Sequence, residues 1–266
     1  MPLLEPMAMK YQLGYLVEEP QRTNSVKPHF TRGPILAKPS SLDGYFGPPP
    51  DYRFIHTRDD FTVQLRKLPS IPNREQAIHY AEHESKNEAT VASAERAVDL
   101  ILEQIKQNDK IEGLIGYPKG ATVAAYVMTE EQRRYEEHGR PVRVKCAVFI
   151  SGWPAIDIHL GNVIVPTGLD DEEYIPILTC HVIGAENAFL ERSNALDDLC
   201  NVDNAEYFDH GGGHIILRHP TTLRELGDVM RNMIQESLDW EITTIQCWDF
   251  AGRLVDKPVG CQGTVS

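Results

Sequence analysis

The sequence predicts an α/β fold, in which helices cover both faces of a mostly parallel β-sheet. From about residue 75 onward, short apolar runs alternate with segments of helical periodicity, a pattern typical of a parallel sheet. Two of these runs, 144–153 and 177–184, are nearly continuous in apolar residues, as in strands buried on both faces. The chain has 266 residues, of which 41% are apolar, enough for one large domain with a buried core.

The predicted elements begin after a proline-rich N-terminal segment. Residues 1–75 hold eleven of the 18 prolines, so we expect few regular elements there. Aromatic residues accompany the prolines between residues 45 and 61, namely Tyr45, Phe46, Tyr52, Phe54 and Phe61. Proline-rich linkers are usually polar, so these rings indicate a segment packed on the core, where it could form a lid over a pocket.

The α/β core is predicted to span residues 76–240. Periodicity predicts helices over 87–107, 119–131, 191–200 and 221–238 and strands over 111–117, 144–153, 177–184 and 205–210. The last part, 241–266, is predicted to be a C-terminal extension with a weak hairpin of residues 242–250 and 253–259. The three parts together are expected to form one structural domain.

Composition argues against several classes of function. The net charge of −13 does not provide the basic face that nucleic acids or anionic membranes require, so we expect neither as a partner. No apolar stretch approaches the ~20 residues of a membrane span, and the first residues lack a secretory signal pattern. The five cysteines form no CxxC pair, which favours reduced thiols and a cytoplasmic location. Neither a metal nor a cofactor is predicted.

One motif suggests a specific family. Residues 111–121 read Ile-Glu-Gly-Leu-Ile-Gly-Tyr-Pro-Lys-Gly-Ala, a strand that runs through a tight turn into a helix. This run resembles the nucleophile elbow, G-x-S-x-G, of the fungal serine hydrolase family within the α/β-hydrolase superfamily. Residues 147–153, 181–187 and 210–214 resemble later segments of that family in the same order, and the resemblance spans about residues 28–236.

Carried over residue by residue, the resemblance places Pro118, Asn187 and His214 at the three catalytic positions. Proline has no nucleophilic atom, and its ring excludes the positive φ that an elbow serine usually adopts. We therefore expect a rebuilt turn and no serine hydrolysis. An asparagine cannot stabilise an imidazolium as aspartate does; in a working protease triad the same change costs ~10⁴ in rate.

The N-terminus also departs from the family, which begins with an apolar strand and a His-Gly loop that forms part of the oxyanion hole. Residues 1–27 contain neither feature, and residues 9–19 look more like the helix that follows that strand. The sequence leaves three ways to close the resulting gap in the sheet. Residues 1–30 could rearrange, the tail could contribute, or a partner subunit could do so in a homodimer.

His214 is the strongest catalytic candidate, because it follows three glycines and histidine suits proton transfer. The alternative is an idle, hydrogen-bonded histidine. Lys119 could act as a base or hydrogen-bond donor at the start of a helix, or could simply be a solvated surface lysine. Ser151 could be a displaced nucleophile, although its position in the family is structural.

The resemblance places Tyr117, Pro118, Trp153 and Asn187 around the former active-site pocket, as candidates to bind a small hydrophobic substrate. The aromatic side chains could equally fill that space. A cavity larger than ~300 Å³ lined by Tyr117, Trp153 and His214 would favour an enzyme, and a collapsed pocket would favour a scaffold.

Three functions remain open on the sequence alone. The first is a non-hydrolytic enzyme of secondary metabolism. It would cyclise, isomerise or dehydrate a polyketide- or terpenoid-like molecule without a covalent intermediate, for example in a pericyclic Diels–Alder closure. The second is a non-catalytic pseudohydrolase that binds a ligand or acts as a scaffold. The third is a residual hydrolase or thioesterase with a displaced nucleophile.

Overall fold

A computed structural model describes residues 26–36, 52–56, 73–85, 87–166, 174–215 and 217–245. The strands and helices are β1 (Ile35–Leu36), β2 (Tyr52–Arg53), α1 (Arg74–Ser85), α2 (Glu88–Gln107), β3 (Gly113–Gly116), α3 (Lys119–His138), β4 (Cys146–Ile150), β5 (Leu178–Ile183), α4 (Leu190–Asp197), β6 (Ala205–Asp209) and α5 (Pro220–Ile245). The predicted second arm of the tail hairpin lies outside the described residues.

The main sheet confirms the predicted α/β fold. It has four parallel strands in the order β3-β4-β5-β6, while β1 and β2 form a separate antiparallel pair. Successive side chains of β4 point to opposite faces, as expected for a strand. Ala147 and Phe149 join the core cluster that includes residues of α2 and α3, whereas Val148 and Ile150 join the cluster that includes residues of α5. Helices therefore cover both faces of the sheet.

The long helix before β3 lies where its periodicity predicts. Asn87 caps α2 by accepting a hydrogen bond from the backbone N–H of Ala89 at 2.9 Å. On the face toward the core, Ala94, Val98 and Ile105 are almost fully buried. The cap and the apolar face together explain why the sequence predicts this helix correctly.

Two helices extend beyond the sequence-based bounds. α3 continues to His138 instead of ending near residue 131, and it stops where Gly139 adopts a left-handed φ of 63°. Arg133 and Arg134 both bond the Glu130 carboxylate, which supports the polar last turns of α3. α5 reaches Ile245, so the strand predicted from residue 242 is wrong over 242–245.

The helix α1 was not predicted. Among those of its residues whose burial is described, the buried apolar ones are Ala77 and Ala81, small side chains that give a weak periodic signal. Asn73 precedes it and accepts a hydrogen bond from the backbone N–H of Gln76 at 3.0 Å. Within the ranges given above, no helix combines enough length and hydropathy to cross a membrane.

The junction of β3 and α3 depends on a close backbone approach at Gly116. A Cβ on this residue would lie 2.2 Å from the backbone nitrogen of Ala121, whereas a Cβ on Gly120 would meet nothing within 4 Å. The first glycine of the motif is therefore required by packing, and the second is not.

We predict opposite effects of alanine at these two glycines. Gly116→Ala should destabilise the protein by about 3 kcal/mol, because the added methyl group would push α3 away from β3. Gly120→Ala should stabilise it by ~0.5–1 kcal/mol, because alanine is the better helix former. Urea unfolding followed by circular dichroism measures both. Equal effects of the two changes would contradict the packing described for Gly116.

Candidate functional site

The chain turns from β3 into α3 through a helical proline. Pro118 has φ −69° and ψ −34°. Its carbonyl already accepts the first α-helical hydrogen bond, from the backbone N–H of Thr122 at 3.2 Å. The turn therefore lacks the positive φ that presents a serine in an elbow, as the sequence predicts for a proline at this position.

Asn187 is used to hold its own loop together. Its side chain is 5% exposed, and its Nδ2 donates to Ser151 Oγ at 3.3 Å. Its Oδ1 accepts a hydrogen bond from the backbone N–H of Phe189 at 3.0 Å. Both polar atoms of the amide are thus engaged away from His214.

Ser151 is a buried and conformationally unusual residue at the end of β4. Its φ is 51°, and among the described residues it is the one non-glycine residue with a positive φ. Only 1% of its surface is exposed, so its hydroxyl does not meet solvent. The structure supports a structural role for Ser151 in fixing the Asn187 loop.

His214 lies between two aromatic rings. Its ring stacks on Tyr117 at 5.8 Å between centroids and meets the edge of Phe189 at 5.4 Å. Its Nδ1 is buried and has no hydrogen-bond partner among the described residues. The contact that orients the histidine in a working triad is therefore replaced by packing against aromatic rings.

The loop that carries His214 is fixed to the Asn187 loop through the backbone. The N–H of Glu186 donates to the carbonyl of Gly212 at 3.1 Å. A Cβ on Gly184 would come within 1.9 Å of that same carbonyl oxygen, so only glycine allows this approach. These backbone contacts therefore hold the two loops against each other.

A buried arginine completes the site, and the sequence analysis missed it. Arg192 is only 1% exposed, and its guanidinium lies 3.8 Å from the centre of the Trp153 ring and 5.2 Å from that of Phe189. Burial, together with this nearby positive charge, lowers the pKa of His214 below its usual value. The available signal was the position of Arg192 on the helix that directly follows the Asn187 loop.

Trp153 is linked to the turn at Pro118 through Thr122. The Thr122 hydroxyl donates to the carbonyl of Pro118 at 3.3 Å and accepts from the backbone N–H of Trp153 at 3.2 Å. Tyr117 contacts His214 directly, whereas Trp153 contacts Phe189, which in turn meets His214. The substrate-binding roles of Tyr117, Pro118, Trp153 and Asn187 stay predictions. Lys119 is the half-buried first residue of α3, and its catalytic role stays a prediction.

Two sizeable cavities lie elsewhere. One of about 750 Å³ runs beside β3, and one of about 680 Å³ lies between α3 and residues 156–165. Neither counts Tyr117, Trp153 or His214 among its described lining residues. The described residues also contain no group of three or more His, Cys, Asp or Glu side chains placed to hold a metal ion.

A parallel sheet, a strand-turn-helix at the elbow position and a histidine loop after the last strand define an α/β-hydrolase-fold protein. The serine hydrolase (FSH1) family matches residues 13–225, and the chain belongs to this family. It is 24% identical to "Esterase FPY3" of Fusarium mangiferae over 62% of this chain and 72% of that protein. It is 25% identical to "Hydrolase phiM" of a fungal species over 53% of this chain and 67% of that protein.

Solved structures with a similar chain course include two carboxylesterases. The Bacillus cereus enzyme has a TM-score of 0.45 at 15% identity, covering 84% of this chain and 82% of that one. The Mesorhizobium loti enzyme has a TM-score of 0.43 at 14% identity, with the same coverage.

We predict that His214 titrates below the ordinary histidine pKa of ~6.5. The folded protein disfavours the charged form of His214. Its contribution to the free energy of unfolding is therefore fully present above the ordinary histidine pKa, and it is lost as the pH falls through the lower pKa of the folded state. Arg192→Met should raise the pKa of His214 only partway, since burial remains the larger cause. NMR titration of the histidine ring protons measures this.

Arg224→Met provides the control for this titration, because Arg224 is an exposed residue of α5. It should leave the His214 titration unchanged. The assigned influence of Arg192 is wrong if its methionine variant, shown to be folded by circular dichroism, titrates at His214 like the wild type.

Proposed function

We propose that this chain is a non-hydrolytic member of the serine hydrolase family that converts a small hydrophobic molecule at the His214 site. The reaction class is cyclisation, isomerisation or dehydration of a polyketide- or terpenoid-like compound, without a covalent intermediate. The observation that carries the proposal is the helical backbone of Pro118. Proline offers no nucleophilic atom, and its helical φ and ψ do not form the turn that would present one. The relatives carry the names esterase and hydrolase, so the proposal assigns a changed chemistry to a shared scaffold.

No described side chain at the site replaces the missing serine well. Ser151 is closed off from solvent, with its Oγ held by Asn187. Outside the site, in the core, burial raises the pKa of the Cys146 thiol to about 11 and that of Cys180 to about 12, so neither forms much of the reactive thiolate near neutral pH. These features argue against a hydrolase with a displaced nucleophile.

The electrostatics of the site suit a reaction that passes through a negatively charged oxygen. Near neutral pH a lowered pKa keeps His214 uncharged, so it can accept a proton or donate a hydrogen bond to a carbonyl. The buried charge of Arg192 would stabilise an enolate or alkoxide that forms beside it. Tyr117 and Trp153 would hold the apolar body of the substrate, and Lys119 would supply a further donor.

A binding or scaffold protein is the second candidate, and one observation favours it. The rings of Tyr117, Phe189 and Trp153 lie within contact distance of His214 or of each other. The two described cavities lie outside this cluster. An enzyme would have to separate these rings to admit substrate, whereas a scaffold would keep them packed.

We predict that an active-site phosphonate probe does not label this protein and that simple nitrophenyl esters give no burst of product. Pro118→Ser should also fail to react, because the helical turn and the engaged amide of Asn187 remain. Mass spectrometry of the probe-treated proteins measures labelling, with a working serine esterase as positive control. A phosphonate adduct on any side chain of the wild-type protein would restore the hydrolase interpretation.

We predict that loss of His214 lowers turnover by ~10²–10⁴-fold, the usual range for a general acid or base. Metabolite profiling of the source organism without this gene should reveal a precursor that is isomeric with the missing product or heavier by one water. Wild type and His138→Ala should restore the product, since His138 is an exposed residue at the end of α3. His214→Ala should not.

The same complementation experiment separates the enzyme from the scaffold. A scaffold needs the fold but not the imidazole, so full restoration by His214→Ala would support the second candidate and remove His214 from the chemistry. Circular dichroism of each variant shows that a failure to complement does not come from unfolding.

A further inference from the structure

We propose that the cavity beside β3 is a binding site for an elongated apolar molecule that ends in a carboxylate, such as a medium-chain fatty acid. The site goes beyond the function proposed above, because none of Tyr117, Trp153 and His214 is among its described lining residues. Its volume of about 750 Å³ lies within the ~300–1,000 Å³ range of small-molecule pockets.

The cavity lies along the outermost strand of the described sheet. Among the described strands β3 pairs with β4 alone. The described lining includes every residue from Lys110 to Gly116, together with residues 26–31 and Gly120. The four residues of β3 span about 13 Å at 3.3 Å per residue, a length that an elongated ligand can follow.

Apolar side chains that line the cavity remain partly exposed to solvent. Ile115 on β3 is 36% exposed and Leu238 on α5 is 44% exposed, although every residue of the neighbouring strand β4 is buried. Met230 and Met233 add flexible thioether side chains, which adapt to ligands of different shape. An apolar occupant would remove this surface from water, which is favourable in proportion to the area covered.

Part of the lining is tied to a neighbouring helix. The Thr31 hydroxyl lies 2.7 Å from Gln104 Oε1 on α2 and donates a hydrogen bond to it. Both residues line the cavity, so this bond joins the segment 26–31 to a helix that also covers the core.

The charges around the cavity indicate an anionic head group. Lys27 and Lys110 are exposed lining residues, whereas Glu112 is the one acidic residue in the described lining. The Glu112 carboxylate is already engaged by Lys145 at 2.5 Å. In a chain with a net charge of −13, this local excess of lysine is unusual and complements a carboxylate.

A fatty acid matches both features of the cavity. Its chain would cover the apolar walls, and its carboxylate would meet the exposed lysines.

The test is isothermal titration of the full chain with dodecanoate and with dodecanol. We expect micromolar binding of dodecanoate. Lys27→Glu combined with Lys110→Glu should weaken dodecanoate at least tenfold while leaving dodecanol unchanged. Equal effects on the two ligands, or none on either, would refute the carboxylate assignment.

Variants of the walls test the position of the site. Ile115→Asp, and separately Leu238→Asp, should each weaken dodecanoate at least tenfold by placing a charge in the apolar cavity. Val202→Asp is the control, because Val202 is 83% exposed and does not line the cavity. Circular dichroism confirms folding, and the two wall variants keep the test valid if one of them unfolds.

Two outcomes would overturn the proposal. One is dodecanoate binding that neither folded wall variant changes. The other is an absence of dodecanoate binding together with slow hydrogen exchange at the amides of Leu114, Ile115 and Gly116, which would show that polypeptide covers the strand edge. Neither outcome depends on His214, so this proposal and the proposed function can fail separately.

Discussion

The ring of Pro118 fixes the backbone φ where β3 turns into α3, and the contacts of the site depend on this φ. Because the residue is helical, its carbonyl accepts from the backbone and the hydroxyl of Thr122. The same hydroxyl accepts from the backbone of Trp153, whose ring lies against the guanidinium of Arg192. A series of contacts thus connects the turn at Pro118 to the buried charge that, after burial itself, lowers the pKa of His214.

The electrostatics of this site run opposite to those of a hydrolytic triad. A triad needs a histidine that becomes positively charged, and a carboxylate that stabilises the charge. Here position 187 carries a neutral amide bonded to Ser151, and the buried cation of Arg192 disfavours protonation of His214. These two changes reinforce each other, since each suits a site in which the histidine stays neutral.

The sequence predicted the strands and helices of the core better than the side-chain contacts of the site. The strands β4 and β5 could be predicted because a strand buried on both faces is apolar along most of its length. The positions of Asn187 and His214 came from the family resemblance, but the partners of their polar atoms depend on loop geometry that no spacing records. The burial of Arg192 could not be predicted, because arginine is rarely buried and one on a short polar helix is normally assigned to the surface.

The strand β3, outermost in the described sheet, lies next to both of the regions proposed as sites. The turn at Pro118 follows the end of this strand, and the apolar cavity runs along it. Thr31, which lines this cavity, is bonded to α2 through Gln104. A ligand in the cavity would contact Gly116 and Gly120, which flank the turn that carries Tyr117, and the ring of Tyr117 stacks on His214. Occupancy of the proposed site would therefore act on the turn that positions the aromatic neighbours of His214.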